Sequence, residues 1–268
     1  MTSTKKIGTS QTDLVSNDSW QHLKKYTAAR IALGRTGVSL PTNEILDFGL
    51  AHAMARDAVH LPLDVVALSR QMNNAGFATL TVDSAVNNRQ AYLLRPDLGR
   101  RLSEQSAATL SNHKEKHFDL AILVGDGLSS MAIKNHALPM LQALRSQFPS
   151  EWEVAPIVIA SQARVALSDE VGELLQAKLI LMLVGERPGL SSPDSLGLYL
   201  TYAPQVGKAD SERNCISNVR PEGLQYQAAA YKVMWLAREA LRLQCTGVAL
   251  KDESDINAIS SEPFIALN

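Results

Sequence analysis

Cysteine is scarce in this chain: only Cys215 and Cys245 occur, and neither belongs to a CxxC or Cys/His cluster. This scarcity argues against a disulfide-stapled secreted fold and against a structural zinc site, because both need more thiols at characteristic spacings. The six histidines show no HExxH or comparable ligand spacing. We therefore expect a protein of a reducing cytoplasm whose stability rests on an apolar core.

An excess of charge of one sign is also missing, because 26 Lys+Arg face 27 Asp+Glu and the formal net charge is −1. Without a strong positive field, binding to nucleic acid or to an anionic membrane surface is disfavoured. The apolar run at residues 179–184 is six residues long, whereas a membrane-spanning helix takes roughly 20. The N-terminus lacks the apolar region of a secretion signal. We expect neither a nucleic-acid partner nor a membrane anchor.

The first quarter of the sequence predicts a small helical region behind a flexible arm. Residues 1–16 are polar and aperiodic, and they indicate a flexible N-terminal arm. The helical region covers residues 17–76. Its first helix follows capping candidates at 17–19, its second is an apolar segment at 45–59 that we expect to be buried, and its third is capped by Asp64.

Residues 77–268 show the pattern of a Rossmann-like α/β domain built on a doubly wound parallel sheet. Period-two alternation from residue 77, followed by a second run at 90–94, predicts a leading β-hairpin. Beyond it, buried strands alternate with helices, which is typical of a parallel sheet covered on both faces. The predicted strands are residues 120–124, 154–160, 179–184 and 198–202, and the predicted helices are 97–112, 132–148, 169–176 and 224–244.

Three loops after these strands are candidate ligand sites, since parallel α/β sheets bind ligands beyond the carboxyl ends of their strands. They are residues 125–130, 161–168 and 185–195. The first reads GDGLSS and lacks the third glycine of a dinucleotide-binding fingerprint. A serine hydrolase built on Ser129, Asp126 and His136 lacks the GxSxG elbow. In the third loop, Glu186 either meets an amide-rich ligand, or caps a turn or pairs with Arg187, and the local sequence leaves these alternatives open.

Five short sequence motifs resemble those of the small (light) subunit of adenosylcobalamin-dependent ethanolamine ammonia-lyase. They are ARIALGR at 29–35, RPDLGRRL at 95–102, DGLS at 126–129, VGERPGL at 184–190 and RNCISN at 213–218. The resemblance covers nearly the whole chain from about residue 28. It implies a lyase that converts ethanolamine to acetaldehyde and ammonia by radical chemistry of its cofactor. A large barrel subunit would carry the substrate, and this subunit would bind cobalamin at their interface.

The resemblance assigns cofactor contacts to Val165, Glu186 and Cys215, and it assigns no catalytic or metal-ligating residue to this chain. Glu186 would accept hydrogen bonds from corrin amides or the nucleotide tail, Val165 would offer backbone groups and apolar contact, and Cys215 would pack as a small polarizable side chain. The chain contains no Asp-x-His-x-x-Gly motif. The resemblance therefore implies base-on adenosylcobalamin, which keeps dimethylbenzimidazole as the lower ligand of cobalt.

Two other functions stay open on the sequence alone. One is a self-sufficient nucleotide-binding enzyme that uses residues 125–130, and the other is a structural partner that stabilises a barrel enzyme without touching cofactor. The expected partner is the large subunit, in a hetero-oligomer. We expect cytoplasmic residence. Packaging in a bacterial microcompartment stays open, because the N-terminus is short relative to family members with a long leading extension.

Overall fold

The computed structural model describes residues 14–112 and 117–255 of the chain. It divides into two compact units, Met1–Ala55 and Arg56–Asn268. The unit boundary differs from the predicted domain boundaries at residues 16 and 76, which stay predictions. Within the described residues, every helix is too short or too polar to cross a bilayer.

The described residues from 79 onward form six strands and five α-helices, which confirms the predicted α/β class. The helices are α1 (Thr42–His60), α2 (Val65–Asn74), α3 (Arg89–Leu94), α4 (Glu104–Ser111), α5 (Ser130–Arg145), α6 (Leu167–Leu174) and α7 (Tyr226–Leu243). The strands are β1 (Thr79–Asp83), β2 (Phe118–Gly125), β3 (Ile157–Ser161), β4 (Ala177–Gly185), β5 (Leu196–Tyr202) and β6 (Asn214–Val219). Short 3-10 turns lie at Gln21–Tyr26, Leu98–Arg100, Asp210–Glu212 and Gly247–Ala249.

The six strands form one sheet in the order β1-β3-β2-β4-β5-β6. Strands β1 to β4 are parallel, whereas β5 is antiparallel to β4 and β6 is antiparallel to β5. The predicted parallel sheet is confirmed for β1 to β4, but the predicted strand at 198–202 runs antiparallel, because the chain returns from β4 to β5 without the crossover that parallel strands need. The strand order also differs from the usual 3-2-1-4-5-6 of a Rossmann sheet.

Helices cover the sheet on both faces, and the residues of β4 show why. Leu179, Leu181 and Leu183 pack in one core with α2, α5 and α7. The alternate residues of β4, at 180, 182 and 184, pack in a second core with α4 and α6. A strand buried on both sides needs an unbroken apolar run, which is the run that the sequence shows.

The predicted hairpin is wrong in its second strand. Residues 79–83 form β1, but they pair in parallel with β3. The residues that follow form α3, because the side chain of Asn88 accepts a 2.9 Å hydrogen bond from the Ala91 N–H and caps the helix. The asparagine pair that resembled a hairpin turn thus begins a helix.

The three predicted N-terminal helices have different outcomes. The prediction of the first helix, after residues 17–19, is wrong, since only the 3-10 turn Gln21–Tyr26 forms there, without a side-chain cap. The second exists as α1, but its predicted burial is wrong: Ile45 and Leu46 are 53% and 67% exposed. Apolar residues lie all round this helix, so packing on one side cannot cover them. The third is confirmed, with Asp64 accepting from the Ala67 N–H at 2.9 Å. The predicted arm lies mostly outside the described residues.

Candidate functional site

A cavity of about 450 Å³ opens at the carboxyl ends of β2, β3 and β4. Its walls come from all three predicted loops and from two tyrosines outside them. The lining residues include Tyr92, Arg164, Val165, Glu186, Arg187 and Tyr199. The structure therefore brings the three loops together at one edge of the sheet, as parallel strands require.

Glu186 lies at the point where β4 ends, and its side chain is held in place from two directions. Its carboxylate accepts a hydrogen bond from the Ser195 hydroxyl at 2.5 Å and from the backbone N–H of Asn218 at 3.2 Å. The backbone N–H of Glu186 donates to the Ser195 carbonyl at 3.0 Å. A carboxylate offers about four lone-pair sites, so these donors fix Glu186 and leave acceptor capacity at the cavity.

Val165 lines the same cavity from the second loop. Its carbonyl accepts from both the N–H and the hydroxyl of Ser168, at 3.0 and 2.8 Å. A carbonyl oxygen has two lone pairs, and here both are used within the loop. The Val165 carbonyl therefore has no lone pair left for a further donor.

Cys215 does not line the cavity but stands beside it, paired across strands with the lining residue Tyr199. In β6, Ile216 is buried in the core whereas its neighbour Cys215 is exposed. Partial burial of the sulfur raises the pKa of the Cys215 thiol, the hydrogen bond with Tyr199 opposes this, and the Glu186 carboxylate adds to the rise. A raised pKa favours the neutral thiol, the form suited to packing rather than to metal ligation.

Asp126 anchors the first loop to the second beneath the cavity. Its buried carboxylate accepts from the Ala163 N–H at 2.9 Å and from the Arg89 guanidinium at 3.1 Å. Burial raises the pKa of Asp126, while Arg89 and neighbouring N–H groups oppose that rise. Ser129 caps α5 through the Ala132 N–H and donates to the Pro193 carbonyl. The serine and aspartate considered for a hydrolase are thus engaged with other groups, and they hold loops together.

Two glycines allow the first and third loops to touch. The Leu128 N–H donates to the Gly185 carbonyl at 2.9 Å. A Cβ on Gly127 would collide with that carbonyl oxygen, and a Cβ on Gly185 would collide with the Ser129 carbonyl. Gly127 also has a φ of +54°, which side chains disfavour. Two of the five sequence motifs that carry the family resemblance, DGLS and VGERPGL, meet at this contact.

Tyr92 is a wall residue that no sequence pattern predicted. Its hydroxyl donates to the Ala163 carbonyl at 3.0 Å. The guanidinium carbons of Arg164 and Arg89 lie 4.1 and 4.6 Å from its ring centroid. Gly99 makes room for this arrangement, since a Cβ there would come within 2.9 Å of the Arg164 side chain. In the sequence, only Gly99 of RPDLGRRL indicates a close approach at this position, and a glycine alone does not identify the residue that approaches it.

His136 connects α5 to the third loop and to α7. Its Nε2 lies 3.1 Å from an oxygen of Asp194, and its Nδ1 lies 2.7 Å from the hydroxyl of Tyr226. The Asn135 amide donates to the same oxygen of Asp194 at 3.2 Å. The third loop is therefore also held at Asp194, next to its last residue, by contacts with α5.

Comparison with known proteins places these features in one family. The family model for the ethanolamine ammonia-lyase light chain matches residues 17–251. The ethanolamine ammonia-lyase small subunit of Pseudomonas fluorescens (strain Pf0-1) is 56% identical over 247 residues, which are 91% of this chain and 90% of that relative. Small subunits of the same name from Pseudomonas putida (strain GB-1) and Pseudomonas syringae pv. tomato (strain ATCC BAA-871 / DC3000) are 55% and 54% identical, each over 91% of this chain, and over 91% and 86% of their own lengths.

Proposed function

The chain belongs to the family of ethanolamine ammonia-lyase light chains and is a small subunit of an ammonia-lyase; from this premise we propose that it binds adenosylcobalamin at its interface with the large subunit. One observation carries the proposal. The sheet-edge cavity brings together Val165 and Glu186, and it reaches Cys215 through Tyr199. These residues come from three separate parts of the chain, and the family resemblance assigns all three to the cofactor.

The cavity suits one side of a cobalamin. The corrin bears many amide groups, which are met by the Glu186 carboxylate and by the N–H of Val165. Pockets for drug-sized ligands measure roughly 300–1,000 Å³, and cobalamin is larger than such ligands. A cavity of about 450 Å³ encloses part of it, and a second chain must cover the rest.

We propose base-on binding in which this chain supplies no ligand to cobalt. The cavity walls contain no histidine among their described lining residues. When bound, adenosylcobalamin supplies the radical chemistry. The residues of this chain bind and orient it: Glu186 accepts from amide groups, Val165 contributes its N–H and side chain, and Cys215 packs as a thiol. The conversion of ethanolamine to acetaldehyde and ammonia is then carried out by groups of the large subunit.

The nucleotide-binding alternative has less support from the geometry. Phosphate-binding loops present free backbone N–H groups to the ligand. Here the Leu128 N–H donates to the Gly185 carbonyl and the Ser129 N–H donates to the Asp126 carbonyl. These two donors are engaged by protein carbonyls, one in the third loop and one in the first loop itself. Cytoplasmic residence, with or without packaging in a microcompartment, stays a prediction.

Co-expression with a large subunit tests the proposed function. We expect ethanolamine deamination only when both subunits and adenosylcobalamin are present, together with a change in the visible spectrum of the bound corrin. Deamination by the lone chain, or by the complex without adenosylcobalamin, would contradict the proposal. Assembly and activity without any contribution of this chain to cofactor affinity would favour a purely structural partner.

A further inference from the structure

Arg164 is a charged wall residue of the cavity to which the proposed function gives no task. The second loop places it directly before Val165. Its backbone N–H donates to the Gly99 carbonyl at 2.8 Å, and its Nη2 donates to the Tyr92 carbonyl at 3.1 Å. Its guanidinium stacks 4.1 Å from the centroid of the Tyr92 ring. The guanidinium is therefore held in one orientation before any ligand arrives.

The charge of Arg164 is not neutralised within the chain. Arg89, on the same tyrosine, forms an ion pair with Asp126. By contrast, none of the ion pairs found within residues 14–112 and 117–255 includes Arg164 or Arg187. The residues that line the cavity thus include two arginines and one carboxylate, that of Glu186. The excess positive charge fits a ligand with one negative charge.

We propose that Arg164 binds the phosphodiester of the nucleotide tail of cobalamin. This inference rests on the proposed function, and it names the part of the cofactor that the second loop recognises. The phosphodiester is the anionic group of a cofactor whose other polar groups are mainly amides, and the planar guanidinium matches phosphate geometry. Because Tyr92 already orders the side chain, little conformational entropy is lost on binding.

The buried Nε of Arg164 supports the same assignment. It lies in the described part of the chain without a hydrogen-bond acceptor, and an unpaired buried donor on a charged group is unfavourable. A phosphodiester oxygen beside the guanidinium would offset the positive charge of Arg164, which is partly removed from water. Glu186 on the facing loop then serves the amide groups of the same ligand, so the two loops recognise different parts of it.

The test compares two ligands on the assembled two-subunit complex. Adenosylcobalamin carries the phosphodiester, whereas adenosylcobinamide keeps the corrin but lacks the nucleotide tail. Arg164→Met keeps an apolar chain on Tyr92 and removes the charge, and Arg164→Lys keeps the charge without the planar fork. Arg242→Met removes an exposed arginine that pairs with Glu239 on α7, and it serves as the matched control. Dissociation constants come from equilibrium dialysis followed by corrin absorbance.

We expect Arg164→Met to weaken adenosylcobalamin binding about 10- to 100-fold, as loss of a charge-assisted hydrogen bond predicts. Adenosylcobinamide binding should stay unchanged, Arg164→Lys should fall between, and Arg242→Met should match wild type. Unchanged adenosylcobalamin binding, or equal loss for both ligands, would overturn the assignment. If Arg164→Met does not assemble, the same comparison on Arg164→Lys decides.

The outcomes separate this inference from the function beneath it. If the wild-type complex binds neither adenosylcobalamin nor adenosylcobinamide, both the proposed cofactor site and the phosphodiester contact of Arg164 are rejected. Loss of affinity in Glu186→Ala with full affinity in Arg164→Met would keep the cofactor site and reject only the phosphodiester contact.

Discussion

The hydroxyl of Ser195 donates a 2.5 Å hydrogen bond to the carboxylate of Glu186, so the last residue of the third loop fixes a side chain near its start. This contact positions the carboxylate in the proposed site. The proposed ligand-binding residue and the residue that positions it are nine positions apart and can be changed separately.

Glu186→Ala is expected to weaken adenosylcobalamin binding to the assembled complex by about 10- to 100-fold, since a hydrogen bond to a charged group contributes about 1.5–3 kcal/mol. Ser195→Ala should have a smaller effect, because Asn218 still holds the carboxylate. Size-exclusion chromatography should show normal assembly for both. Unchanged affinity in Glu186→Ala would favour a purely structural role for this subunit.

Cys215 should be protected from alkylation by the cofactor. In the assembled enzyme, N-ethylmaleimide is expected to label Cys215 more slowly when adenosylcobalamin is present, whereas Cys245 provides the internal control. The pKa of Cys215 is raised in the folded chain, so less thiolate is present at each pH than in the unfolded chain. Labelling of Cys215 should therefore be slower in the folded than in the unfolded chain, and its rate should increase only at higher pH. Mass spectrometry measures both rates. Equal labelling with and without cofactor would contradict the contact.

His136→Ala should loosen the third loop without unfolding the sheet. The change removes the contacts of His136 with Asp194 and Tyr226, and lost buried hydrogen bonds of this kind cost about 1–3 kcal/mol. Hydrogen exchange at the amide of Ser192 should accelerate about tenfold or more, while amides in β4 keep their rates. Asn135→Ala, which removes a single exposed contact with Asp194, is the milder control. Exchange in the loop at the wild-type rate would show that His136 does not fasten it.

The buried ion pair of Arg213 and Asp169 should matter for stability rather than for ligand binding. Both side chains are 1% exposed, and one of their two hydrogen bonds measures 2.7 Å. Asp169→Ala leaves the buried guanidinium with Asp210 as its one carboxylate partner among the described residues, at 3.4 Å and on an exposed side chain, and removing one member of a buried pair costs about 3–5 kcal/mol. Thermal unfolding should detect the loss. Arg242→Ala, at an exposed pair on α7, is expected to leave the transition where it is, and a similar shift in both variants would refute the distinction.

The cobalamin of the holoenzyme should keep its own base on cobalt. Electron paramagnetic resonance of the cob(II)alamin form, with the protein labelled by ¹⁵N and the cofactor left unlabelled, should show coupling from a cofactor nitrogen only. Coupling to a ¹⁵N histidine nitrogen would refute base-on binding.

The sequence predicted the parts of the fold that follow from local burial, and it missed those set by long-range geometry. The apolar run of β4 could be recognised because burial on both faces leaves no polar positions. The direction of β5 could not, because residues 198–202 have the same apolar pattern in a parallel or an antiparallel strand. The residues of α3 were misassigned, since an asparagine pair suits a hairpin turn and a helix cap equally well.

The candidate site divides in the same way. The rule for parallel sheets predicted the edge and its three loops, and the family resemblance supplied Val165, Glu186 and Cys215, whose contacts with cofactor stay predictions. The stacking of Arg164 on Tyr92 joins residues 72 positions apart. No periodicity or short motif records such a pairing, so it became visible only in three dimensions.

The contact between Gly127 and Gly185 has a further consequence for how the cavity adapts to a ligand. With no space between them, a displacement of the third loop also displaces the start of α5 through Ser129. The first loop is tied to the second as well, through the hydrogen bond from the Ala163 N–H to Asp126. A change at one loop is therefore passed to the other two, and selection for a modified cofactor should replace side chains that line the cavity before it changes either glycine.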